Sequence, residues 1–376
     1  MAIAIRRFTA ADTAAIERLN ARLTAGGAVD RVWPEGPADR RSTDASVRER
    51  LFVAADGAEV RGGVWLREHA FRIGGTDVPI GWAKYPVAES LVAPEHSGVP
   101  GSLLFQLLRE QPRLMALGLG GPEGPFARML ARLGWTGEVV PFLFRIVRPF
   151  RVLRDLAHVR RSAARRAVLD LLAFSGAGAA GVSALHAARG MRGRRAAAGV
   201  DAELVQEFGA WSDEIWMRCR DAYGCLSVRD AAMLRELYPA TQPAIRRLRV
   251  RRQGRDLGWA VTLRFQAAAA APDRHFGRLR VGVLVDALSL PADATAVAAA
   301  ATADLARGPD RVDLVFSNQS HPAWIDALRS LGYLQGPSNF AFYRAPPVEQ
   351  LLVPDVRALG LLVNRGDCDG PAWFIR

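Results

Sequence analysis

Lysine is almost absent from this chain of 376 residues: Lys84 is the only one, and the other 49 basic residues are arginine. Arginine beside abundant alanine is what GC-rich coding produces without any function. Acidic residues number 38, so the formal net charge is +12 and the isoelectric point is near 10.8. A charge of that size still favours anionic partners such as phosphates, CoA, RNA or lipid headgroups. The reading stays open between a solvated arginine-rich surface and such a partner, and nucleic acid is not expected. Cysteine is scarce too. Cys219, Cys225 and Cys368 form no CxxC pair, which excludes a zinc ribbon and a disulfide framework. The first two are expected to be reduced and buried, and no metal site is expected. The opening MAIAIRRFTAAD lacks the apolar core of a secretory signal, so a cytoplasmic location is the default.

A long, clean hydrophobic run is also missing. Residues 167–185, AVLDLLAFSGAGAAGVSAL, come nearest. Their length approaches a membrane span, but Asp170, Gly176, Gly178 and Gly181 weaken the run. Arg165, Arg166, Arg189 and Arg192 flank it. An interdomain helix or loop is the first reading; a peripheral membrane contact through 167–185 is the second.

What is present describes a folded protein: 50% hydrophobic and 23% charged residues. The length fits two domains, with a third conceivable. Ile3–Phe8 reads as a strand, and Ile16, Leu19 and Leu23 lie at helical spacing behind Asp12. Residues 24–42 read as loop, and Thr43 or Asp44 as the cap of a short helix. Asp56-Gly57 and Gly74-Gly75 mark turns between strand-like runs. A helix over Ser102–Glu110, a strand over Leu114–Leu119, a helix stopped by Gly134 and a strand over Val139–Val147 follow. The interval 150–202 is rich in Arg, Ala and Gly and reads as a linker with a possible helix. From Glu203 the grammar repeats: a helix to Tyr223, antiparallel strands, a helix over Thr295–Leu305, a strand, a helix stopped by Gly332 and a strand over Asn339–Arg344. The expected fold class is α/β, in α+β style. It comprises two halves, each a mixed, mostly antiparallel sheet flanked by helices. The expected domains are 1–149, a linker at 150–202, a degenerate second half at 203–346 and a tail at 347–376.

Several runs resemble the GNAT (GCN5-related) N-acetyltransferase superfamily. IRRFTAADTAAIERLN is similar to its first strand and helix, and LVAPEHSGVPGSLLFQLL to its acetyl-CoA segment. LMALGLGGPEGPFARMLARLGW and VDLVFSNQSHPAWIDALRSLGY are similar to its strand–helix unit ending in Gly and an aromatic. The order, met twice, resembles a tandem GNAT arrangement such as that of mycothiol synthase and the FemAB-like proteins. The resemblance implies an acyl-CoA-dependent N-acyltransferase that uses acetyl-CoA or another acyl-CoA as co-substrate. A small-molecule primary amine, such as an amino sugar or sugar nucleotide, would accept the acyl group.

Unsatisfied N–H groups at a helix start carry partial positive charge, and glycines let a pyrophosphate approach them. On this ground Ser97, Gly98, Val99, Gly101, Ser102 and Leu103 are the candidate cofactor residues. A backbone N–H near Leu91 and Val92 would polarise the thioester oxygen. The loop departs from the family pattern: it lacks the leading basic residue, is one residue short, and Pro100 removes a donor. The corresponding run of the second half, Ser289–Val297, has no glycine, so CoA is expected in the first half. The family often uses a Tyr four residues before the terminal Gly as acid. Those positions are Leu130 and Leu328 here. Glu89 is therefore the candidate base and Tyr85 the replacement acid. A strand Glu facing solvent and a sheet-packed Tyr are the competing readings. His69, His96, Asn318, His321 and the acidic tail pair Asp367 and Asp369 are weaker candidates. Arg246, Arg247, Arg249, Arg251 and Arg252 read as a solvated strand face. Two alternatives to acyl-CoA transfer remain: an aminoacyl-tRNA-dependent FemAB-like transferase, and an inactive GNAT pair that binds a ligand or partner. The oligomeric state is unknown.

Overall fold

The computed structural model describes residues 3–28, 32–33, 46–118, 120–156, 163–189, 191–266 and 276–368. The proposed Thr43 or Asp44 cap, most of the 24–42 loop and Asp369 lie outside them. The chain divides into two units, residues 1–139 with 339–357, and 140–338 with 358–376.

The first unit opens with β1 (Ala4–Arg7) and α1 (Thr13–Ala25). Asp12 fixes the entry to α1. It accepts from the Thr9 backbone N–H at 2.8 Å and pairs with Arg6 at 2.6 Å. Ala15, Ile16, Leu19 and Leu23 supply the helix's buried stripe. The strands β2 (Arg48–Asp56), β3 (Glu59–Ile73) and β4 (Thr76–Ala88) form an antiparallel meander. Gly74 and Gly75 turn β3 into β4 with φ of 54° and 80°, a region open to glycine without steric cost. Next come α2 (Val99–Glu110), β5 (Leu114–Gly118), α3 (Pro125–Arg132) and β6 (Thr136–Val139).

The second unit begins with β7 (Phe142–Ile146). The interval expected as a linker is helical where it is described: α4 (Pro149–Asp155), α5 (Ala163–Phe174), α6 (Ala177–Arg189) and α7 (Met191–Ala196). The helix expected from Glu203 is corrected. Residues Val200–Val205 form β8, an edge strand paired antiparallel with residues 247–252, and α8 (Ala210–Cys219) starts only after Gly209. The strand is mostly exposed and shows no apolar alternation, so periodicity had nothing to report. Then follow β9 (Cys225–Ser227), α9 (Ala231–Leu237), β10 (Ile245–Arg252), β11 (Arg255–Gln266), β12 (Arg280–Ser289), α10 (Ala294–Ala306), β13 (Leu314–Asn318), α11 (Pro322–Ser330) and β14 (Leu334–Gly336). The chain returns to the first unit with β15 (Ala341–Arg344) and ends its described part near β16 (Leu361–Leu362), which pairs with β9.

The sheets follow one plan. The first runs β1-β2-β3-β4-β5-β15-β6 and the second β14-β7-β13-β12-β11-β10-β8. In each, the strand next to the last on the β6 or β14 side comes from the other half of the sequence. Strand β15 pairs antiparallel with both β5 and β6, and β7 with both β13 and β14. The single strand expected over Val139–Val147 is two strands in two sheets, separated by Val140-Pro141. Proline has no N–H with which to continue a ladder. The chain passes between the two units after residue 139, again after 338 and again after 357.

Both terminal helices close alike. The Trp135 N–H reaches the Leu130 carbonyl at 3.1 Å and the Gly134 N–H the Ala131 carbonyl at 3.1 Å. Tyr333 with Leu328, at 3.1 Å, and Gly332 with Arg329, at 3.0 Å, repeat the pair. This is the Schellman closure, and Gly134 and Gly332 take its left-handed position with φ of 78° and 87°. Leu130 and Leu328 have no exposed surface.

The second core encloses a charge cluster. Arg229 is fully buried. Its Nε lies 3.1 Å from both Asp286 oxygens and a terminal nitrogen lies 3.2 Å from Asp367. Tyr238 donates to Asp286 at 2.8 Å. Removing the cation leaves two buried carboxylates facing each other. The Arg229→Met variant is expected to lose about 3–5 kcal/mol of unfolding free energy, measured by urea denaturation.

Candidate functional site

In the first sheet a fork opens between β4 and β5. Their parallel pairing covers only Gly81 with Leu114 and Trp82 with Met115, although β4 continues to Ala88 and β5 to Gly118. The cause is local. Between the pairs Trp65–Lys84 and Gly63–Val87, Tyr85 and Pro86 stand opposite the single Val64. This β-bulge bends the strand and increases its twist, and Tyr85 sits at φ 45° to make it. Trp33 holds the bulge: its indole N–H donates to the Tyr85 carbonyl at 3.0 Å. A Cβ on Gly63 would lie 1.9 Å from the Trp33 ring, so only glycine lets the indole seat there. The Trp33 backbone is pinned in turn by two 2.9 Å hydrogen bonds with the Asn20 side chain of α1.

The chain then runs from the tip of β4 to α2 through two short 3-10 turns, Glu89–Leu91 and Pro94–His96. Glu89 belongs to the first turn, not to a strand. It is buried and doubly paired, with Arg22 at 2.7 Å and Arg61 at 3.1 Å. Burial by itself raises the carboxyl pKa, but the hydrogen bonds and charges of the two guanidiniums outweigh it and hold the pKa below the ordinary glutamate value. A carboxylate so neutralised is a weak proton acceptor at neutral pH. Glu89 ties the loop to α1 instead. Val92 helps: its side chain stands where a Cβ on Gly26 would be, 2.4 Å away. Of the two residues expected to offer the oxyanion donor, Val92 already donates its N–H to the Glu89 carbonyl at 2.9 Å. Leu91 is 48% exposed on the same turn.

Helix α2 starts at Val99, three residues earlier than expected, with Gly98 as its cap. Val99 and Leu103 therefore bury their side chains in the core with Phe52, Leu66 and Leu104, so neither side chain is free for a ligand. Ser102 turns its hydroxyl back to the Gly98 carbonyl at 3.2 Å. Gly98 has an ordinary helical backbone, and a Cβ added at Gly98 or Gly101 would meet nothing within 4 Å. These glycines thus serve no internal packing, and the space before the first turn is open. The Val99 and Gly101 N–H groups have no acceptor within the helix, and Pro100 has no N–H at all. Ser97 and Gly98 are exposed and His96 is half-buried beside them. Tyr85 packs with the α1-side cluster of Leu19, Leu23, Trp33 and Val87. The two proposed catalytic groups therefore face α1, as does Val92, whereas of the proposed cofactor residues Val99, Gly101, Ser102 and Leu103 belong to α2 and Gly98 caps it.

The opposite wall of the fork ends in Gly118, Gly120 and Gly121, all with positive φ, leading into α3. The run GLGGPEG carried that signal in the sequence. Trp33 carried none, since it stands in a stretch read only as loop.

The second fork repeats the first. Strands β12 and β13 pair from Val281–Leu314 to Val283–Phe316 and then part, and Val285 is the extra residue of a bulge opposite β11. This fork is occupied by the chain itself. The Ser320 N–H donates to the Val363 carbonyl at 3.1 Å, Gln319 bridges Asn364, and Arg365 donates to Asn318 at 2.7 Å. Across the gap, Asn364 donates to Asp286 on β12 at 2.8 Å. A Cβ on Gly366 would fall 2.3 Å from the Tyr238 hydroxyl.

The weaker candidates are absorbed by packing. His69 is buried against Phe71, with ring centroids 5.1 Å apart. His321 caps α11 itself, its Nδ1 accepting from the Ala323 N–H at 3.2 Å, and burial lowers its pKa. Asn318 donates to the Pro141 carbonyl at 3.1 Å. The expected solvated arginine face is corrected at Arg247, which is buried and donates to the Tyr238 carbonyl at 2.9 Å. Arg246 pairs with Asp304 and Arg249 with Asp256. Cys219, Cys225 and Cys368 form no disulfide and are buried. Among the described residues no group of three His, Cys or carboxylate side chains could hold a metal.

No protein-family model and no curated protein matches the sequence. Solved structures do. A GCN5-related N-acetyltransferase from Anabaena variabilis aligns with 91% of this chain and 72% of its own, at 14% identity and a TM-score of 0.50. A protein of unknown function from Enterococcus faecalis aligns with 94% and 75%, at 10% identity and 0.50. Saccharomyces cerevisiae N-myristoyltransferase with bound myristoyl-CoA aligns with 92% and 82%, at 9% identity and 0.50. The chain has the GNAT fold.

The Glu89 anchor makes a pH-dependent prediction. A carboxyl whose native pKa is depressed adds stability above its unfolded pKa and loses it as pH falls through the native one. Glu89→Gln is expected to cost about 2 kcal/mol at neutral pH. The gap to wild type should narrow as the pH falls below the ordinary glutamate value and through the lower native one. Urea denaturation of both proteins across that range measures it.

Proposed function

We propose that this GNAT-fold chain is an acyl-CoA-dependent N-acyltransferase whose first unit holds the acyl-CoA. The observation that carries the reading is the contrast between the forks. The first leads to a helix start with open space before Gly98 and Gly101. The second is filled by residues 363–367 of the chain itself.

In this reading the Val99 and Gly101 N–H groups, with Ser97, Gly98 and Ser102 around them, receive the pyrophosphate. Val99 and Leu103 fix α2 by burying their side chains. The acyl arm lies in the fork, where β4 beyond Trp82 has left β5. The acceptor amine comes from the α1 side, past Leu91, Val92 and Tyr85. Its nitrogen bonds to the thioester carbonyl carbon, the C–S bond breaks, and the nitrogen's proton is lost as the thiolate gains one. With Glu89 neutralised by arginine, the base is assigned to water, and Tyr85 is the acid candidate at the fork. Holding the two reactants together supplies much of the acceleration. Acetyl-CoA is the cofactor proposed first, and an amino sugar or sugar nucleotide the acceptor; the second choice rests on the family resemblance alone.

A second reading, a pair that binds acyl-CoA without turning it over, is favoured by Leu130 and Leu328. Both stand at the family's acid positions and are sealed in the core.

A calorimetric and thermal-shift screen across acyl-CoA chain lengths tests both. Saturation at a hundredfold excess over Kd should raise stability by about 2.7 kcal/mol. Gly98→Asp places a carboxylate where the phosphate would sit, in open space that the fold tolerates. It should lower affinity at least about tenfold through like-charge repulsion while leaving the apo melting temperature unchanged. No shift with any acyl-CoA defeats the proposal. Binding without product from a panel of primary amines selects the second reading.

A further inference from the structure

We propose that the helical hairpin α4–α6 of the second unit docks on the surface of an anionic lipid bilayer. This lies outside the catalytic reading and does not depend on it.

Large apolar side chains exposed on this protein are mostly scattered, which is ordinary. Five of the fourteen found among the described residues gather here: Phe150, Val168, Leu171, Leu172 and Phe174. Leu171 and Phe174 are 70% and 71% exposed. Val168, Leu171 and Phe174 follow at three-residue steps along α5 and share one side of the helix. Phe174 meets Phe150 of α4 edge-on, ring centroids 5.5 Å apart, so the patch is continuous across two helices. Gly176 then turns the chain at φ 75° into α6. A Cβ on Gly178 would lie 2.4 Å from Leu153, so α6 packs tightly back on α4. The apolar face is thus presented by a packed element, not by a frayed end. Contiguous exposed patches of this kind mark partner surfaces.

The same stretch of sequence is strongly basic. Residues 145–195 contain twelve arginines and two aspartates, a net +10 within a chain whose total is +12. Coding bias enriches arginine throughout a chain; it does not strip acids from one interval. Arg151 is exposed, and the half-exposed Arg154 stands 5.7 Å from the Phe150 ring centre. Apolar side chains beside guanidiniums are the make-up of an element that lies in the plane of a bilayer. The rings enter the acyl boundary while the cations meet lipid phosphates. A nucleic acid would use the charge and leave Leu171 and Phe174 in water. A second copy would bring +10 against +10. An anionic bilayer uses both features. No helix among the described residues is long and apolar enough to cross a membrane, so the contact is superficial.

The test is sedimentation of the full-length chain with vesicles of phosphatidylcholine alone and of phosphatidylcholine with phosphatidylglycerol. Binding is expected only to the second, and should fall several-fold as salt rises from roughly 0.1 to 0.5 M. Leu171→Ser with Phe174→Ser changes two side chains that already face water, so its melting temperature should match wild type. Its vesicle partitioning should drop at least about tenfold. Absence of binding to the anionic vesicles, equal binding to both kinds, or wild-type binding by the double variant overturns the proposal. So does salt-sensitive binding to single-stranded RNA without vesicle binding. A dimer that the double variant disperses, again without vesicle binding, overturns it in favour of self-association.

Discussion

A single hydrogen bond from the Trp33 indole to the Tyr85 carbonyl holds the geometry on which the first unit depends. It fixes one surplus residue in β4. Because Tyr85 and Pro86 answer to Val64 alone, the strand bends away from β5 instead of continuing beside it. Everything of chemical interest in this unit follows from that separation. The loop of residues 89–98 is aimed by it, the start of α2 is brought to the mouth of the gap, and the glycines after β5 form the opposite lip. The arrangement is held by α1 and β3 together. Asn20 of α1 and Gly63 of β3 seat Trp33, Arg22 of α1 and Arg61 of β3 fix Glu89, and Gly26 at the end of α1 seats Val92.

The second unit uses the same device to a different end. Its extra residue, Val285, opens an equivalent gap, and the chain fills that gap with its own residues 363–367. The filling is polar and ionic, built on Arg229 between Asp286 and Asp367. Buried ions are stable only when each is matched, so this closure is specific and poorly tolerant of partial occupancy. Under the proposed function, a gap closed in this way leaves the acyl-CoA to the first unit. Two copies of one architecture thereby differ in what stands between two strands.

Much of the architecture was legible in the residues because local chemistry enforces it. Gly74-Gly75 could only turn, and the Leu-Gly-aromatic endings at 133–135 and 331–333 could only close a helix. The spacing of Ile16, Leu19 and Leu23 required a helix with one buried stripe. The position of the fork was legible through its loop. What could not be read was set by partners distant in sequence. Glu89 looked available because Arg22 and Arg61 are remote from it along the chain. The Val92 N–H looked free because its acceptor belongs to a 3-10 turn with no signature. Trp33 sat among glycines, prolines and charges that spoke only of a loop. Strand β8 lacked alternation because it lies at an edge. Asp367 resembled a turn residue until Arg229 was found beside it. The exchange of β7 and β15 was the least accessible of all, since both sheets obey the same pattern and would accept either strand.

That exchange bears on how the polypeptide comes into being. The place between β5 and β6 is taken by residues 341–344, which leave the ribosome only after every element from β7 to β14 has been made. Until then β5 has an open edge towards the missing strand, of the kind that invites pairing with other chains. The first half therefore cannot finish folding in the order in which it is synthesised. Neither half is a separable gene cassette. Any ancestor with one half alone needed a strand of its own in that slot, and the exchange bound the two halves into a single heritable unit.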